Sequence, residues 1–76
     1  MTLYNLKKGE SAKIKSIELS GGARARLSSL GIIEGKTVTI LSFSLFKSAV
    51  LISCGYIRLG IRKALANKIG VEKCAD

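Results

Sequence analysis

Arg24-Ala25-Arg26-Leu27-Ser28-Ser29-Leu30-Gly31-Ile32-Ile33-Glu34-Gly35 decides the fold. Ala23, Leu27 and Leu30 recur at spacings of four and three, so they share one face of a short helix that runs to about Leu30. Gly31 follows the last apolar position and can take the left-handed conformation that ends a helix without a Cβ clash. Ile32 then packs back on the helix. Gly35 stands before a β-branched run and suits a second positive-φ turn position. The segment reads as helix, glycine stop, tight turn, strand.

Working outward, alternation marks strands on both sides. Thr2 to Leu6 reads as an extended lead-in, and Lys8-Gly9-Glu10 as a turn. From Ser11 to Leu19, Ala12 and Ile14 lie in one phase and Ile17 and Leu19 in the other, which predicts a bulge that bends the strand. Ser20 is placed to cap the helix. Lys36–Phe43 is the second strand, Ser44–Lys47 a hairpin tip with no Gly or Pro, and Ala49–Cys54 the third strand. In the fourth, Tyr56–Ile61, residues Ile57, Leu59 and Ile61 point inward. One helical turn within Arg62–Lys68 leads to a closing strand, Ile69–Lys73. Five short strands with tight connections predict a mainly β fold, a small, strongly bent barrel formed by residues 1–76 as one domain.

Composition narrows the function. With 76 residues, the chain has too little core to line a large substrate cavity. Thirteen Lys and Arg against five Asp and Glu give a net charge of +8, which predicts an anionic partner without choosing its kind. The basic residues are dispersed, and the four aromatics offer only Tyr56 beside Arg58 as a base-stacking pair, so nucleic acid is not expected. The apolar run Val38–Ile52 is interrupted by Ser42, Ser44, Lys47 and Ser48 and is shorter than the ~20 residues of a spanning helix, so no transmembrane segment is expected. No secretory signal is visible, and free thiols in a reducing cytoplasm are the expectation for Cys54 and Cys74. With no histidine, no phosphate loop and no nucleophile matched to a base, the chain does not read as an enzyme. Two scattered thiols and five carboxylates make a poor metal site, so neither metal nor cofactor is expected.

The order of these pieces resembles the FeoA family, small cytoplasmic proteins of bacterial ferrous iron uptake. The resemblance runs from Leu3 to about Glu72. It rests on the Arg26-Leu27-x-x-Leu30-Gly31-Ile32-x-x-Gly35 run and on Arg62-x-x-x-Ala66-x-x-Ile69-x-Val71. It implies an SH3-like barrel of about five strands with a short helix in the loop between the first two. It also implies an accessory role to a ferrous iron permease of the FeoB type, met at its cytoplasmic GTP-binding domain or adjacent segments, at the inner face of the membrane. Two stretches depart from the family pattern. Phe46-Lys47-Ser48-Ala49 stands where Gly and Pro are common, and Ala64 and Leu65 stand where many members carry acidic residues.

The residues that bear on a partner are Arg24, Arg26, Leu27, Leu30 and Arg62. Leu27 and Leu30 read either as core contacts or as part of a docking groove. Arg24 and Arg26, two apart on a helix, point in different directions, so they cannot both face one small anion. Arg62 is open to Glu34, to Glu72 or to an acidic partner. Gly31 and Gly35 are structural turn positions. Related SH3-like domains in metal-dependent repressors give a second functional reading, a stand-alone regulatory domain. The Phe43–Phe46 hairpin permits weak self-association.

Overall fold

The computed structural model describes residues 1–74. Five antiparallel strands, β1 (Ser11–Ile17), β2 (Thr37–Phe43), β3 (Ala49–Cys54), β4 (Ile57–Arg62) and β5 (Ile69–Lys73), form one sheet in the order β4-β3-β2-β1-β5. Helix α1 (Gly21–Ser29) fills the loop between β1 and β2, and the single turn α2 (Lys63–Ala66) joins the two edge strands. The Thr2–Leu6 lead-in is not extended. Leu3–Asn5 makes a 3-10 turn whose Leu3 is fully buried, so the chain bends to put that side chain into the core. Just before the turn, Thr2 bridges to Gly70, and the Met1 carbonyl accepts the Val71 amide at 3.0 Å, which covers the outer edge of β5.

Two bulges bend the sheet. Along β1 the pairing with β5 steps from Ile14↔Val71 to Ser16↔Gly70, so Lys15 is the extra residue. The extra residue lets Ala12, Ile14 and Ile17 all reach the core although Ile17 is out of phase with the other two. The second bulge lies in β2, where Ile40↔Ile52 is followed by Ser42↔Leu51. The core inside this bent sheet is purely apolar, built on Ile14, Ile32, Val38, Ile40, Val50 and Ile52. Ile57 corrects the sequence reading. It shares a face with Leu59 and Ile61, but it stands 36% exposed beside the Gly55 turn, where the barrel wall no longer covers it.

The C-terminus of α1 is closed by hydrogen bonds. Gly31, at φ +85°, donates to the Ser28 carbonyl at 3.0 Å, and Ile32 donates to the Leu27 carbonyl at 2.9 Å. This pair is the Schellman arrangement, and its apolar partners Leu27 and Ile32 both sink into the core. The N-terminus differs from expectation. Ser20 precedes the helix, but its hydroxyl makes no capping hydrogen bond. Gly21, at φ +63°, does not continue the right-handed turn that such a cap requires.

These two ends give a matched prediction. A Cβ at Gly31 would touch nothing within 4 Å, so Gly31→Ala carries only the left-handed backbone penalty, about 1 kcal/mol of lost stability. Gly22 lies inside α1 with ordinary dihedrals and equally open space, so Gly22→Ala stabilises by about 0.5–1 kcal/mol. Urea unfolding of the two variants checks both signs, and shifts in the same direction would contradict this account.

Candidate functional site

A groove of about 330 Å³ runs between α1 and the β4–α2 corner. Leu27 and Leu30 lie on the helix side, and Leu59, Ile61 and Leu65 on the other. Leu27 is buried at its base, while Leu30, Leu59 and Leu65 are half-buried and pack against the core. Arg26 and Arg62 line the groove from its two sides, both exposed. Neither makes an ion pair among the described residues. The Schellman cap fixes the register that sets Leu27 inward and Leu30 one turn on. Leu65 stands where the family resemblance leads one to expect an acid, and it makes this wall more apolar.

Four of the residues singled out from sequence thus meet in one place: Arg26, Leu27, Leu30 and Arg62. Arg24 does not join them. Its Nη1 donates to the Ile17 carbonyl at 2.7 Å and its Nη2 to Glu34 Oε2 at 2.8 Å. It therefore ties α1 to the end of β1 and to the turn before β2. Arg62 pairs with neither carboxylate offered to it, because Glu34 is held by Arg24 and Glu72 by Lys15 at 3.1 Å. Gly31 and Gly35 sit at positive φ in the turns that bracket Ile32–Glu34. Leu59 and Leu65 escaped sequence reading as site residues; only the strand alternation through Leu59 and Ile61 hinted at a shared face.

The groove offers leucine, isoleucine, alanine, glycine and arginine side only, with no nucleophile or general base. Chemically, such an arrangement can take apolar side chains on its floor and carboxylates on its two guanidiniums. Cys54 is buried and Cys74 exposed, both free. Among the described residues no three His, Cys, Asp or Glu side chains come together in a way that could hold a metal ion. Nor is any helix among them long and apolar enough to cross a membrane.

Among the described residues two carboxylates are perturbed. The hydrogen bond from Arg24 holds Glu34 below the usual glutamate value of about 4.5. Glu10 is lowered by its hydrogen bond from Lys73 and then by the Lys7 backbone amide. Lowered folded-state values mean stability that is present above about pH 4.5 and lost as pH falls through them. The urea midpoint is expected to be flat through the neutral range and to decline below that point. Glu34→Gln removes part of the decline; an unchanged acid limb would show that the Arg24 contact carries no linkage.

The FeoA domain model matches residues 1–73. The chain belongs to the FeoA family. The FeoA protein of Chlorobium tepidum has 29% identity over 99% of this chain and 71% of its own, with a TM-score of 0.93. FeoA of Stenotrophomonas maltophilia, solved with zinc and described as a prokaryotic SH3 domain protein, has 25% identity over 95% of this chain and 89% of its own, at TM-score 0.82. A manganese-dependent transcriptional repressor covers 97% of this chain and 36% of its own at TM-score 0.83, but at 16% identity it shows the fold alone. No curated protein sequence matches the chain. The FeoA domain is thus an SH3-like barrel, and its groove lies where the loop helix meets the last strand pair.

Proposed function

We propose that this FeoA protein is a cytoplasmic accessory factor of bacterial ferrous iron uptake that works by docking on a ferrous iron permease of the FeoB type. The observation that carries this reading is the groove: an apolar floor bordered by two arginines that have no ion pair among the described residues. Arginine is one of the residues in which protein-binding hot spots are enriched, and an apolar pocket beside it can take a partner's anchor side chain out of water. The net charge of +8 favours encounter with an acidic face and speeds it. Family membership supports the role in iron uptake, since the Stenotrophomonas relative is described as possibly acting as a ferrous iron transport activating factor, and a permease is the partner such a role offers.

The test is a titration of isotope-labelled protein with the full-length permease in detergent micelles. Saturable loss or shift of amide signals around Arg26–Leu30 and Leu59–Leu65 is expected. Signals that stay put at every nucleotide state would remove the permease as partner. A change in oligomeric state with added manganese or iron would instead favour the stand-alone regulatory reading, for which the repressor likeness supports only the fold.

A further inference from the structure

Two large apolar side chains stand in water at the tip of the β2–β3 hairpin. Leu45 is 79% exposed and Phe46 91%, and neither packs against the core. Phe46 and Lys47 nevertheless hold φ values of 63° and 56°, a left-handed region that side chains with a Cβ avoid. Hydrogen bonds brace this shape. The Lys47 amide donates to the Ser44 carbonyl at 2.8 Å, the Ala49 amide donates to Ser44 Oγ at 2.8 Å, and the Tyr4 hydroxyl donates to the Lys47 carbonyl at 2.6 Å. Backbone strain of this kind persists only where surrounding contacts impose it, and it clusters at working sites. Its result here is an outward-pointing phenylalanine.

The ground beside the tip is cationic. An open cavity of about 420 Å³ is lined by Lys7, Lys8 and Lys47 with Tyr4 and Phe43, and by no carboxylate among the described residues. Lys63 lies over the Tyr4 ring at 5.3 Å and Lys47 over Phe43 at 5.4 Å, which gathers a fourth ammonium at the same end. Glu34 lies at the far end of β2 and Glu72 is paired with Lys15, while Glu10, whose carboxylate accepts the Lys7 amide at 2.6 Å, is paired with Lys73.

We infer that this tip contacts an anionic lipid bilayer directly, with Leu45 and Phe46 entering the headgroup boundary and Lys7, Lys8, Lys47 and Lys63 meeting lipid phosphates. A convex tip of two side chains falls far short of the ~800 Å² per partner that a stable protein interface buries. A bilayer makes no such demand, since a few apolar groups with flanking lysines suffice at its interface. The site is separate from the groove and stands whether or not the permease is the groove's partner.

The experiment is co-sedimentation of the full chain with vesicles of phosphatidylcholine alone and of phosphatidylcholine mixed with phosphatidylglycerol. Binding is expected to the mixed vesicles only. Phe46→Asn, which tolerates the left-handed backbone, lowers it about tenfold. Lys7→Gln and Lys8→Gln lower it about fivefold each. The chain has no tryptophan, so Phe46→Trp gives a single tryptophan emission that shifts to the blue on the mixed vesicles. Three results would overturn the inference: no sedimentation; sedimentation that Phe46→Asn leaves unchanged, which is adsorption of a basic protein; or a Phe46-dependent dimer or permease complex without lipid binding.

Discussion

Leu27→Ala is expected to lower the unfolding free energy by about 3 kcal/mol, a cost typical of a leucine truncated in a packed core. Leu27 is 6% exposed and belongs to the core cluster, and its carbonyl also accepts the Ile32 amide. The truncation opens a void under α1, in the core cluster that Leu27 shares with Ile32. A domain of this size has roughly 5 kcal/mol in hand, so the variant keeps about 2 kcal/mol and a few per cent of its molecules are unfolded. Leu30→Ala is the contrasting case. Leu30 is half-buried and lines the groove, so its truncation costs about 1 kcal/mol and leaves the barrel folded. Urea titrations of the two variants separate the roles that sequence left open for these leucines. Equal, small losses would mean that α1 is not anchored through Leu27.

The second large effect is on binding. Reversing both groove arginines, Arg26→Glu with Arg62→Glu, is expected to weaken permease binding about a hundredfold, because like charges set against an acidic partner cost several kcal/mol. Stability should move by less than about 1 kcal/mol, since both side chains are exposed and neither makes an ion pair among the described residues. Arg24→Gln is the control. It breaks the Ile17 and Glu34 hydrogen bonds, so it lowers stability while leaving affinity for the partner nearly unchanged. Calorimetric titration beside urea unfolding reads both quantities, and an affinity loss for Arg24→Gln as great as for the double reversal would argue against the groove.

Why some of this was legible and some not follows from what each residue reports. The helix stop at Gly31 could be read because its neighbours carry a local pattern: apolar spacing of three and four, then glycine, then isoleucine. The β1 bulge could be read because Ala12 and Ile14 are out of phase with Ile17. The β2 bulge could not, because Ile40 and Leu41 are adjacent and both apolar, which erases the phase. Alternation told which face Ile57 occupies but not how far the core reaches along that face. The groove was half visible. Its helix wall is written in one short segment, whereas Leu59 and Leu65 join it only through folding of β4 and α2. That Arg24 is tied to the end of β1 was not legible, because its acceptor there is the Ile17 main-chain carbonyl, and any residue at that position would provide one.

Strand β1 lies between β2 and β5, and it pairs with β5 from Ala12↔Lys73 to Ile17↔Ile69. At ribosomal elongation rates, on the order of 3–10 s separates the making of Ile17 from that of Ile69. Until β5 is made, the flank of β1 that it covers stays unsatisfied, the kind of edge that recruits other chains. Lys13 and Lys15 project into solvent along that strand. Lysine on a bare edge repels a second copy of the same basic chain. Lys13 and Lys15 are thus placed where gatekeeper charge against self-capture is needed while the chain is still being made.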